Sequence, residues 1–167
     1  MAANIPSQIQ VQVVKAGWFK RSYQFIADGK TIGQLNYVES FANKAIAIVQ
    51  DKEIAIRRGG FWKRYIEITS TSHPQYNMRI DISWTNKLKI TDSARNSYEF
   101  KPTNLWTTKW AWVGRNERPL IEIRSKIFSR QTRGQIEIKD PEMKDCLFWI
   151  IVAWFVILCS ESDAAAA

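Results

Sequence analysis

From Ile9 to Ile138 the chain alternates apolar and polar residues with a period of two; from Cys146 to Cys159 the alternation stops. Ile9, Val11 and Val13 alternate with glutamines. Tyr23 and Phe25, then Ile32, Leu35 and Tyr37, flank the turn pair Asp28-Gly29. Ile46 and Ile48 lead into Asp51-Lys52, and Ile54 and Ile56 follow. Ile66 and Ile68, Ile80 and Ile82 with Trp84, Leu88 and Ile90, and Tyr98 and Phe100 repeat the pattern. Trp110 and Trp112, Ile121 and Ile123, and Ile136 and Ile138 complete it. Period-two alternation marks strands with one buried and one wet face, the habit of antiparallel sheets. It predicts about twelve strands, over roughly 8–26, 30–69, 76–101 and 109–139.

Asp140-Pro141-Glu142 then changes the period. Asp is a good helix N-cap, Pro suits the first helical position, and acidic residues complement the dipole there. A helix is expected over about 141–159. From Cys146 to Cys159 it carries no charge on any face, so it must be buried all round. The tail SESDAAAA, 160–167, reads as a solvated, disordered end.

An uncharged helix at the end of a β chain is either a membrane anchor or a core. A spanning helix needs about 20 apolar residues, and the flanks here carry little net positive charge. The one-faced strands also need something apolar to cover. A barrel of about twelve strands has a backbone radius of ~12 Å, and a helix with its side chains is ~10–12 Å across. An eight-stranded barrel, at ~8 Å, is too tight. The expected fold is therefore mainly β: one domain, 1–167, built as a closed antiparallel barrel of about twelve strands around a buried hydrophobic C-terminal helix. A tail-anchored β domain is the alternative. A smaller fold of the pleckstrin-homology kind is the structural runner-up, and it calls for an amphipathic terminal helix.

Composition adds a sign. The 167 residues carry a formal charge of +8, with 24 Lys and Arg against 16 Asp and Glu. That favours anionic partners, whether phospholipid headgroups, nucleic acid or acidic protein. Cys146 and Cys159 would stand ~20 Å apart on a helix, too far for a disulfide. With no disulfide framework and no basic-then-apolar leader, an intracellular location is expected, cytoplasmic or peripheral to a membrane and not secreted.

Twelve strands followed by an apolar helix resemble the tubby-like barrel, the superfamily of the tubby C-terminal domain, the phospholipid scramblases and the LURP-one-related proteins. "YQFIADGKTIGQLNY" (23–37) is similar to the early strand pair of the scramblase and LURP-one-related barrels. "IAIRRGGFWKRYIEI" is similar to a following hairpin, and "CLFWIIVAWFVILC" to the threaded helix. The tubby C-terminal signature, a palmitoylated cysteine cluster and an EF-hand-like acidic loop are not found. No calcium dependence, scrambling activity or lipid-contact residue is therefore carried over. The resemblance implies a non-enzymatic module whose best-known use is contact with membrane lipid.

The sharpest candidate site is "RRGGFWKR". Arg57, Arg58, Lys63 and Arg64 flank a Gly-Gly turn and offer guanidinium forks and an ammonium to phosphate. Trp62 is a candidate interfacial anchor, since Trp is favoured at the lipid–water boundary. The competing reading is a solvated hairpin with Phe61 and Trp62 packed on the barrel end. Lys126, Arg130 and Arg133, near Phe128, form the second candidate. Trp110 and Trp112 fit core packing better than nucleobase stacking. His73 is the only histidine, without the companions that zinc or a Ser–His hydrolase needs. No cofactor or metal is expected, and a barrel filled by its own helix leaves binding to its outer wall and rims. The first expectation is a phospholipid-binding module for anionic, phosphoinositide-like surfaces; the second is a protein-binding adaptor without a lipid role.

Overall fold

The computed structural model describes residues 9–17, 21–38, 43–125 and 131–167. They form twelve strands, two short 3-10 turns (Pro74–Tyr76 and Arg115–Glu117) and one α-helix. The strands are β1 (Ile9–Lys15), β2 (Ser22–Ala27), β3 (Lys30–Tyr37), β4 (Lys44–Val49), β5 (Lys52–Gly59), β6 (Tyr65–Thr69), β7 (Met78–Asp81), β8 (Leu88–Thr91), β9 (Ser97–Pro102), β10 (Lys109–Val113), β11 (Pro119–Ser125) and β12 (Thr132–Ile138). The helix α1 spans Cys146–Ala166.

All twelve strands belong to one antiparallel sheet, and β1 pairs with β12, so the sheet curls back on itself. The barrel is nearly closed, with one seam. β7 and β8 are neighbours in sequence but form no ladder, and the sheet order ends at each of them. Their connecting turn is held by Ser83 N–H donating to the Lys87 carbonyl at 3.0 Å.

The alternation read from sequence is the alternation of burial. Val11, Val13, Phe25, Leu35, Ile54, Ile56, Ile66 and Ile68 point inward and are buried, as are Trp110 and Trp112. α1 fills the interior. Phe148 and every residue from 150 to 159 are buried, on all faces of the helix. By length and composition α1 could cross a membrane, but the barrel wall already covers its apolar side chains. Two wall positions let it approach closely. A Cβ on Gly134 would lie 2.6 Å from the Trp154 ring, and one on Gly33 would lie 2.9 Å from Ile151. Tyr37 stacks on Phe155 at 5.8 Å, and Tyr23 meets Trp154 edge-on at 6.2 Å.

Both helix ends differ from the sequence expectation. Residues 141–145 form turns and the helix begins at Cys146, because Asp145 adopts the left-handed region (φ 55°) and breaks continuity. Asp140 does cap, but its carboxylate accepts the Glu142 N–H of a turn, 3.0 Å, and not that of a helix. At the other end 160–166 are helical and not a disordered tail. Alanine is the best helix former, and Ser160 and Asp163 are tied to the barrel wall through Asn86, Arg58 and Arg64.

Candidate functional site

An up-and-down barrel sorts its connections by parity. Those following β1, β3, β5, β7, β9 and β11 open at one rim, the rim where α1 emerges. The others open at the opposite rim.

This sorting separates the surface chemistry. The exposed large apolar residues among the described ones are Ile9, Val38, Phe61, Trp62, Trp84, Leu105 and Trp106. All but Ile9 lie in connections of the α1-exit rim. They are not grazing contacts: Phe61 is 84% exposed, Trp62 77%, Trp84 76%, Leu105 97% and Trp106 81%. Phe61 and Trp62 brace each other edge-to-face at 5.2 Å. The reading that packs them onto the barrel end is thereby corrected: the Gly59-Gly60 turn lifts both rings away from the wall. The opposite rim is built from polar turns such as Asp28-Gly29, Gln50-Asp51 and 92–96, where Asp92 caps the Asn96 N–H at 2.8 Å. The Asn96 side-chain amide, which donates to the same carboxylate at 3.0 Å, and then this backbone bond hold the Asp92 carboxyl below its ordinary range.

Positive charge gathers at the aromatic rim. Lys44 sits directly opposite Arg57 in the β4–β5 register, and Lys109 opposite Arg124 in β10–β11. Like charges directly across a ladder are destabilising. At the first of these pairs Glu67, opposite Arg57 on the other side, offsets the repulsion. Arg21 lies over Tyr37 at 4.6 Å, and Arg133 is exposed beside the helix exit.

The four basic residues of "RRGGFWKR" do not act as one cluster. Arg57 lies on the outer wall and donates to Glu67 at 2.6 Å, which raises its affinity for its proton. Arg58 points into the barrel mouth and grips the Asp163 carboxylate with two parallel bonds, 2.8 and 2.7 Å. Arg64 reaches the same carboxylate at 3.3 Å, and also Asn86 at 3.0 Å and the Ser83 carbonyl at 2.7 Å. Its guanidinium lies 5.6 Å from the Trp84 ring centre. Two half-buried guanidiniums thus converge on one oxyanion directly beneath the exposed aromatics. Lys63 is exposed at the hairpin tip, with no ion-pair partner among the described residues. Of the second candidate group, Lys126 and Arg130 lie outside the described residues; Arg133 flanks a small recess of about 80 Å³ with Tyr23, Trp154 and Glu161.

The remaining candidates have structural roles. Trp110 and Trp112 are buried, and their indole N–H groups donate to the Thr107 and Trp149 carbonyls at 2.9 and 3.1 Å. His73 lies in the polar loop 70–77, and no group of three or more metal-binding side chains occurs among the described residues. Cys159 is buried, and desolvation pushes its thiol up to about 11. Cys146 is half-buried, and desolvation raises it too.

Sequence reading found Trp62 but not its companions Trp84, Leu105 and Trp106. The signal was present, since the connections after β5, β7 and β9 each carry an aromatic residue and parity puts all three on one rim; Trp18, Phe41 and Phe128 lie outside the described residues. No family model, curated protein or solved structure matches this chain.

Proposed function

We propose that the protein is a non-enzymatic, peripheral membrane-docking module that settles on anionic lipid with its aromatic rim toward the bilayer. The confinement of exposed Trp, Phe and Leu side chains to one rim carries this reading. Large apolar side chains left exposed on one face mark an interaction site, and Trp with basic neighbours suits the headgroup boundary. Each large aromatic side chain offers about 150–250 Å² to bury. The basic rim adds attraction to the negative cytoplasmic leaflet, about 1 kcal/mol per Lys or Arg near the surface.

Lys63 and Arg133 make the first headgroup contacts in this reading. Arg58 and Arg64 hold a pre-formed oxyanion site in which the Asp163 carboxylate stands where a headgroup phosphate would bind. Trp62 and Trp84 enter the interface. The twelve-stranded wall around an apolar helix supports the likeness to the tubby-like barrel, for which contact with phospholipid is the expected use.

Co-sedimentation with vesicles tests the reading. Binding should require phosphatidylserine or phosphoinositide, fall as salt rises from about 0.05 to 0.5 M, and vanish on neutral vesicles. Equal binding to neutral vesicles, or none to acidic ones, removes it.

A further inference from the structure

The barrel's seam has a chemistry of its own. Ile82 N–H donates to the Arg64 carbonyl at 2.8 Å, so residues 78, 80 and 82 spend their backbone groups on β6. Asp92 N–H donates to the Asn96 carbonyl at 2.9 Å, so 88, 90 and 92 spend theirs on β9. Antiparallel alternation then turns the N–H and C=O of Arg79 and Asp81, and of Lys89 and Thr91, into the seam. The Ser83–Lys87 turn bond has the same parity, and the next pairs that would zip the seam do not form.

Between these two edges lies an open cleft of about 780 Å³. Its floor is Met78, Ile90 and Trp149, the last held by its carbonyl to the Trp112 indole and by ring contact with Phe148. Its outer lip carries Lys63, Arg79 and Lys89 against one acid, Asp81. Arg79 is further positioned by stacking 3.6 Å from the Tyr65 ring centre.

We propose that the seam accepts an extended acidic segment of a partner protein as an additional strand. The Ser83–Lys87 bond holds the two edges close at the turn, so the segment enters from the open end, where Arg79 and Thr91 present unspent donors and acceptors to a peptide backbone. The alternation of a strand then sends every second side chain to the apolar floor and the others to the cationic lip. The occupant is thus a stretch of about three residues, apolar and acidic in alternation, seated at the end of the seam away from the turn. An acyl chain would fill the floor but leave both edges unpaired. The proposal does not depend on membrane docking, and its test contains no bilayer.

Fluorescein-labelled acetyl-Val-Glu-Val-Glu-Val-Glu-amide is titrated into the full chain, and amide hydrogen exchange is read at residues 79, 81, 89 and 91. Comparison probes are the same peptide N-methylated at alternate residues, its Val-Lys counterpart and dodecanoate. The acidic peptide should bind saturably and slow exchange most at 79 and 91, at the open end of the seam. The N-methylated and Val-Lys peptides should bind at least about tenfold more weakly. The double variant Arg79→Glu with Lys89→Glu should invert the charge preference. Because this variant sets Glu opposite Glu67 and Glu99 across the ladders, its melt is compared with that of Arg79→Gln with Lys89→Gln, which should level the preference between acidic and basic peptides without new like-charge pairs. No saturable binding, equal binding of the N-methylated peptide, protection elsewhere, or dodecanoate giving the same protection would each overturn the proposal.

Discussion

Arg58 and Asp163 stand 105 residues apart in sequence and meet through two parallel hydrogen bonds, 2.8 and 2.7 Å, at the barrel mouth. The pair fastens the last turn of the internal helix to the wall, and with Arg64 it forms a ready oxyanion site at the rim. Arg58 and Arg64 are only 18% and 15% exposed in their side chains, while Asp163 is 43% exposed. The carboxylate is therefore the member that can leave.

Asp163→Asn should separate its two roles. The fold should lose about 1 kcal/mol or less, because the carboxylate is well solvated. Acidic-vesicle affinity should rise a few-fold as both guanidiniums become available. Urea melts and co-sedimentation measure the two effects, and weaker vesicle binding would mean the forks do not receive headgroups.

Trp62→Ser combined with Trp84→Ser should leave the melting temperature unchanged within about a degree or two, since exposed side chains contribute little to folding. Vesicle affinity should fall about tenfold or more. A double variant that binds as well as wild type would put the contact elsewhere.

Gly134→Val tests the threaded helix. The added side chain would meet the Trp154 ring, whose nearest atoms already lie 2.6 Å from a Cβ at this position. Overpacking should destabilise by about 1–3 kcal/mol. Gly29→Asn should cost little, because nothing lies within 4 Å of its Cβ position and Asn tolerates the positive φ of 73°. Chemical denaturation compares the two, and equal cost would contradict the tight approach.

The Cys159 thiol sets a pH dependence. Burial raises it from the ordinary 9.0 to about 11. Its raised value means the folded state keeps its proton where the unfolded chain has lost it. The contribution is fully present below pH 9 and is lost as pH rises toward 11. Urea midpoints should fall across that window in wild type and less in Cys159→Ala. Below pH 9 the thiol should resist alkylation until the protein unfolds.

The fold was legible because its two periods are unmixed. Pairs such as Val11 and Val13 or Ile66 and Ile68 announce one-faced strands, and an uncharged run from 146 to 159 announces a helix that needs a wall on every side. The helix ends were not, because they depend on events outside the local pattern. A left-handed Asp145 delays the start, and contacts to Arg58 and Asn86 from distant strands order the finish. The seam was hidden for a related reason, since nothing in MRID or LKIT says that two ladders will stop without joining. At the site, the residue types of "RRGGFWKR" were visible but their partners were not. Glu67 claims Arg57 and Asp163 claims Arg58 only in three dimensions, and Trp84 and Trp106 join Trp62 only once turns are sorted by rim.

Spin-label depth on phosphatidylserine vesicles tests the central claim most directly. Nitroxides would be placed at Trp62→Cys, Trp84→Cys and Trp106→Cys on one rim, and at Ser72→Cys and Ser93→Cys on the other, in a Cys146→Ser background. The account predicts that the first three become accessible to lipid-dissolved oxygen and shielded from a water-soluble nickel complex, while the last two stay in water. Labels from both rims responding alike, or the polar rim alone entering lipid, would contradict it.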